Sequence, residues 1–286
     1  MKSGLKPNRP RHLNRDYIKS FHPQIYAGTA NYPTFLPEFL TDDGRWMPDQ
    51  NADGEPEGCT NYAQSNLALN LGEQTASPQE LEAVTHANAL GGLSIQMSLD
   101  AARKQLKWFT NTYQIHATGI LDYFDAFRLA QASGGPLERR SISWGTPWFP
   151  SWEAFAQGNN FTINPDGSFT TSASTIKRII MPPPSQAELD LLYTRPSAIP
   201  WHNSMLDGWL TIENTLVYRN KSWQGKNVGD NGFIYFPRDV INTVMTLKGT
   251  AAFTATDLEA NAPQTIDISI VQKWLSYIRQ WIGLPY

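Results

Sequence analysis

The strongest nucleophile this sequence can offer occurs once, as Cys59 in Glu57-Gly58-Cys59-Thr60-Asn61-Tyr62-Ala63. A single cysteine cannot close an internal disulfide, and metal sites built from several thiolates are excluded. Cys59 is therefore either a small core hydrophobe or a reactive thiol. Gly58 permits a sharp turn just before it, and Tyr62, Ala63, Asn66, Leu67 and Leu69 follow at helical spacing. That places the thiol in the first turn of a helix, where the positive end of the helix dipole favours thiolate. A thiol nucleophile also needs a base. Of the five histidines, His12 and His22 lie near the N-terminus, His86 inside a predicted helix and His116 near a helix end. His202 stands apart because it opens a predicted strand running toward Trp209.

The elements that must position this pair divide the chain in two. Ser77-Pro78-Gln79-Glu80 has the N-cap, first-turn proline and acidic residue of a helix start. Ser94 caps a further helix carrying Ile95, Leu99, Ala102 and Leu106, and another helix is expected over residues 121–132. The second half alternates as strands, expected at 137–144, 203–210, 215–219 and 232–236, with a hairpin around Asn164-Pro165-Asp166-Gly167 and a helix over 237–245. An aromatic loop holds Trp148, Phe149, Trp152 and Phe155. The pattern predicts an α+β fold with an N-terminal helical part (about 22–135) and a C-terminal antiparallel β part (about 136–250), with a cleft between them. An extended arm is expected over 1–21. A C-terminal extension is expected over 251–286, with an amphipathic helix through Val271, Trp274, Leu275, Ile278, Trp281 and Ile282 as a candidate protein-partner surface.

Composition narrows the function classes. A net charge of −3 with no basic stripe argues against nucleic-acid binding. No run of 18 apolar residues is present, so no membrane span is expected. One cysteine and no signal segment point to a cytoplasmic or particle-associated protein. Ten tryptophans suggest large aromatic-lined surfaces.

At this point the sequence resembles the papain-like cysteine proteases, especially bacterial or phage members without disulfides. The family's cysteine opens a long helix, as Gly58-Cys59-Thr60-Asn61-Tyr62-Ala63 does here. Its histidine begins a strand ending in Gly and an aromatic, matched by His202 through Gly208-Trp209. An Asn-Ser-Trp-Gly element and a glycine-bounded strand follow, matched by Asn220-Lys221-Ser222-Trp223-Gln224-Gly225 and by Gly229 to Phe236. The pair is separated by 143 residues (59 to 202), within the family's range. The resemblance implies a two-lobe fold and peptide hydrolysis through an acyl-enzyme, with no cofactor or metal. Cys59 would be the nucleophile, His202 the base and acid, Asn220 the group orienting the imidazole and Gln50 an oxyanion donor. Trp223, Trp201 and Trp144 are the candidate substrate-binding or supporting residues. Gln50 stands nine residues ahead of Cys59, three more than the family spacing. Lys221 is likewise inserted beside Asn220, so Asn220 is expected to keep its role through a bulged loop. Asp207 falls where the family has an apolar strand residue, either as a solvent-facing edge position or as a mark of a modified strand.

Two other readings stay open. The insertions, the arm and the C-terminal stripe would also suit a catalytically weak or inactive structural protein of this fold, such as a phage virion component. Cell-wall amidases share the order of cysteine and histidine, but at much shorter separation.

Overall fold

In the computed structural model, described residues run from 16 to 256, apart from 29, 32–35, 41–46, 74, 119, 134–139, 165, 167 and 175–177. The polar arm up to residue 15 and the amphipathic helix expected after 256 lie outside them. The elements are α1 (Tyr17–Phe21), α2 (Pro23–Tyr26), β1 (Phe39–Leu40), α3 (Cys59–Asn70), α4 (Pro78–Thr85), α5 (Ile95–Lys104), β2 (Asn111–Gln114) and α6 (Tyr123–Ala132). There follow β3 (Ile142–Pro147), α7 (Pro150–Ala156), the β4–β5 hairpin (Asn159–Ile163 and Phe169–Ala173), α8 (Gln186–Thr194), β6 (Trp201–Ile212), β7 (Thr215–Lys221), β8 (Phe233–Pro237), α9 (Arg238–Met245) and β9 (Ala251–Thr256).

Local chemistry explains the helix starts. The Ser77 side chain accepts the Glu80 amide, Ser94 accepts that of Met97 and Asp122 that of Asp125. Ser185 and Glu188 form a reciprocal capping box at α8. The helix α3 begins at Cys59 behind Gly58, and its residues from Cys59 to Ala68 are all buried.

The strands form an antiparallel sheet in the order β2-β9-β3-β6-β7-β8, with β1 added to β6. Side-chain alternation sorts its two faces. Ile142, Trp144, Leu206 and Ala252 belong to a core shared with Phe124, Phe127 of α6 and Val240, Ile241 of α9. Met205, Ala251, Phe253 and Ala255 belong to a second core with Cys59, Tyr62, Leu67 of α3 and Leu99 of α5. The α+β expectation therefore holds. Among the described residues, no helix is long and apolar enough to cross a membrane.

Several boundaries differ from the sequence reading. The stretch from residue 16 is not an extended arm, because Asp16 caps α1 and Ile18 is buried in the main core. Residues 251–256 are not an extension: β9 pairs with both β2 and β3 inside the sheet. The aromatic loop after Trp148 is helix α7, begun by Pro150 at its first position.

Asp207 is neither edge nor solvent-facing. It is buried in a bulge between Leu206 and Gly208, and its carboxylate accepts two bonds from Arg219, at 3.0 and 2.9 Å. The bulge lets β1 approach: Gly208 has φ +145°, and a Cβ there would lie 1.8 Å from the Phe39 carbonyl oxygen. Gly208→Ala should therefore lower stability by about 3 kcal/mol, through backbone strain and a clash that main chain cannot relieve. Urea unfolding of the variant beside the wild type measures it, and a loss under about 1 kcal/mol would contradict this packing.

Candidate active site

Cys59 is brought to the sheet by the burial of α3. The Gln64 amide on that helix donates to Ser143 Oγ on β3 at 2.9 Å, and Ser143 donates to Asn203 Oδ1 on β6 at 3.1 Å. Asn61 is held from the other side by Glu82, Thr85 and Ser98. With the helix fixed in this way, the Cys59 sulfur lies 3.4 Å from the Asn203 amide nitrogen, which donates to it. The residue before Asn203 is His202. The two residues picked out from the sequence thus lie on neighbouring elements, with the thiol bonded to the amide next to the histidine rather than to its ring.

The imidazole is held on two sides. Its ring meets the Trp148 ring edge-on, with centroids 4.9 Å apart. Its Nε2 lies 2.8 Å from the main-chain carbonyl oxygen of Ser222. A carbonyl can only accept, so Nε2 carries the hydrogen and Nδ1 is the basic nitrogen. That Nδ1 is buried without a hydrogen-bond partner.

Asn220 does not orient this ring. It pairs with Leu206, four residues along β6 from His202, roughly 13 Å at the rise of a strand. Its Oδ1 accepts from Trp144 Nε1 at 2.8 Å and from Ser204 Oγ at 2.7 Å. Lys221, which strict register would place at the orienting position, is buried with its ammonium 6.0 Å from the Trp223 ring centroid and 5.9 Å from that of Phe233. The expected bulge at Lys221 is absent, since Asn220 and Lys221 continue β7 in register with both neighbours, and the acceptor the chain delivers to His202 is a main-chain oxygen. Sequence has no sign for such a group, since every residue carries one.

Trp144 is likewise a correction. It is fully buried, bonded to Ser204 and Asn220 and packed edge-on against Phe236, so it supports the sheet and touches no substrate space. Trp223 is buried too, its Nε1 donating to the Asn203 carbonyl at 2.8 Å. Gln50 is buried beside it. The Gln50 main-chain amide donates to the Trp223 carbonyl at 3.1 Å, and its side-chain amide donates to the Pro56 carbonyl at 3.0 Å.

Trp201 does face open space. A cavity of about 580 Å³ is lined by Trp201, Trp148, Glu57, Glu153, Phe169 and the Pro196–Pro200 segment. Glu57 is two residues before the thiol, and Trp201 and Trp148 flank His202, so the cavity adjoins the pair. Glu153 and Phe169, from α7 and the hairpin, were not singled out by the sequence reading. A carboxylate on an aromatic-rich helix carries no distinguishing pattern.

Enclosure decides the electrostatics. Burial pushes the Cys59 thiol up to about 12, against the opposing pull of the amides of Asn203, Thr60 and Cys59 itself. Burial lowers His202 from about 6.5 to about 4, only partly offset by the bond to Ser222. Both shifts disfavour charge, so the pair rests as thiol and neutral imidazole. The expectation that the helix start would favour thiolate fails here, because desolvation outweighs the dipole.

No protein-family model matches the sequence, and no curated relative matches it. Solved structures do. Xylellain, a cysteine protease from Xylella fastidiosa, aligns with a TM-score of 0.58 at 12% identity, over 90% of this chain and 97% of that one. The procathepsin B S9 of Trypanosoma congolense gives 0.49 at 11% identity, over 90% and 84%. The digestive procathepsin L2 of Tenebrio molitor gives 0.49 at 10%, over 89% and 78%. At such identities the likeness shows the fold alone: the chain has the papain-like fold, mixed helix and antiparallel sheet.

The buried neutral histidines make stability acid-sensitive. His22, buried and bonded to Ser133 Oγ, is also lowered by burial to about 4. In the unfolded chain both take up a proton near pH 6.5, so the stability present above that value is lost as pH falls toward 4. Each should cost about 2 kcal/mol between pH 7 and pH 5. Urea unfolding at the two pH values tests this, and the loss should shrink in His22→Gln. Equal stability at both would show that the imidazoles are not buried neutral.

Proposed function

We propose that this chain is a thiol-dependent peptidase in which Cys59 is the nucleophile and His202 the general base and acid. One observation carries the reading: the Cys59 sulfur sits against the amide that follows His202, while the imidazole is tethered by Nε2 and its Nδ1 is unbonded. The papain-like fold supports it, since the structures it resembles include a cysteine protease.

Chemistry then starts from the neutral pair. His202 Nδ1 takes the thiol proton as the sulfur bonds to the scissile carbonyl carbon. The oxyanion that forms would be met by the helix-start amide of Cys59, which has no partner within α3, and by the remaining amide hydrogen of Gln50. The imidazolium returns its proton to the leaving amine, whose departure leaves a thioester. Water attacks that thioester with His202 again as base, releasing the acid and restoring the thiol. Substrate would lie in the cavity beside the pair, where Trp201, Trp148 and Phe169 offer aromatic walls and Glu57 and Glu153 favour a basic side chain.

A second reading has its own observation: neither Cys59 nor His202 has any exposed surface. A papain-like fold retained for binding alone would need no open thiol. Two measurements separate them. Incubation with a peptidyl epoxide thiol reagent, read by mass spectrometry, should label Cys59, and an excess of cleaved peptide should protect it. Cleavage of a mixed peptide library should vanish in Cys59→Ala and His202→Ala. A folded wild type that cleaves nothing would leave the binding reading. Among cleaved peptides, those with Lys or Arg should dominate. Glu153→Gln should lower kcat/KM for them about five-fold, the equivalent of ~1 kcal/mol, and leave neutral peptides unchanged.

A further inference from the structure

Orientation of a catalytic imidazole is expected to fall to a side chain, yet every side chain nominated for it here is committed elsewhere. Asn220 Oδ1 takes two donors, Trp144 Nε1 and Ser204 Oγ, four residues down the strand. The Lys221 ammonium lies over two aromatic rings. The acceptor that reaches His202 is the Ser222 carbonyl.

The direction of that carbonyl depends on the peptide unit joining Ser222 to Trp223, whose rotation is set by ψ of Ser222 and φ of Trp223. That φ is +64°, in the left-handed region that bulky side chains rarely adopt. Such a conformation persists only where the surroundings over-determine it. Trp223 has three anchors. Its Nε1 donates to the Asn203 carbonyl on β6, its own carbonyl accepts the Gln50 amide, and its ring packs 6.3 Å from Tyr62 on α3. These contacts reach the strand bearing the base, the loop bearing the candidate oxyanion donor and the helix bearing the thiol.

We propose that the main-chain carbonyl of Ser222 orients His202, presented by Trp223 in its left-handed conformation, and that Asn220 has no part in this. Trp223 is thus a positioning residue that fixes the tautomer with the hydrogen on Nε2 and Nδ1 bare. The inference rests on the peptidase reading for what the bare nitrogen does, but the tautomer itself can be observed without turnover.

The test is nitrogen NMR of the full chain with ¹⁵N-labelled histidine at pH 7, His202 being assigned from the signals missing in His202→Gln. Wild type should show the Nε2–H tautomer with a slowly exchanging proton, and Asn220→Ala should show the same. Trp223→Phe keeps most of the ring and loses the bond to Asn203, so it should mix the tautomers or speed exchange at least ten-fold. An Nδ1–H tautomer in the wild type overturns the proposal outright. A tautomer change in Asn220→Ala as large as that in Trp223→Phe, or no change in a folded Trp223→Phe, overturns it as well. Should either variant fail to fold, the wild-type tautomer decides. A wild type that holds the Nε2–H tautomer but cleaves no peptide sustains this inference and defeats the peptidase reading instead.

Discussion

A helix buried on every side must find partners for its polar side chains inside the protein. On α3 the Asn61 and Gln64 amides find them in a way that builds the site, while Thr60 Oγ1, Ser65 Oγ and Asn66 Oδ1 are left without one among the described residues. Asn61, Gln64, Ser65 and Asn66 are all buried on it. Gln64 reaches through Ser143 to Asn203, while Asn61 is tied to α4 and α5. Unpaired, groups of this kind would each cost about 1–3 kcal/mol, so the register of α3 against β3 and β6 is tightly set. Because the thiol is the helix's first residue and Asn203 follows His202, that register is also the geometry of the candidate active site.

The same burial governs charge. A helix N-terminus favours an anion by roughly 0.3–1 kcal/mol near a surface, whereas the effective desolvation penalty of an ion taken fully out of water is several kcal/mol. With Cys59 and His202 both enclosed, the larger effect prevails and the pair is uncharged. A general-base step from a neutral pair is the chemistry consistent with that balance. Under the proposed peptidase reading, a peptide that brings polar groups and displaces the enclosure would shift it toward the ionised form.

What the sequence made legible were features with local signatures. Ser77-Pro78 and Ser94 cap helices where expected, Gly58 precedes α3, and His202 lies on a strand. The outcome at Asn220 and Lys221 was not legible, because a one-residue slip in β7 sends every side chain to the other face. Nor was Asp207 readable as a buried partner, since Arg219 lies across the strand pair and nothing in spacing links them. Strand β9 was missed for a similar reason: Ala251-Ala252-Phe253-Thr254-Ala255-Thr256 has small residues on both faces, which suits a fully covered central strand but shows no alternation. The Ser222 carbonyl was beyond any residue-based reading.

The place of β9 has a bearing on how the protein comes into being. Strand β2 joins the sheet only through β9 among the described residues, and Ala251, Phe253 and Ala255 complete the core that contains Cys59. Until residue 256 has been made, β2 and β3 are open edges and the cysteine's own core is unfilled. At ordinary synthesis rates of about 5–20 residues per second, the stretch between Cys59 and Thr256 takes roughly 10–40 s to emerge. Throughout that interval the thiol is an accessible sulfur in an unfinished chain, open to oxidation or adduct formation, and its enclosure is among the last events of folding.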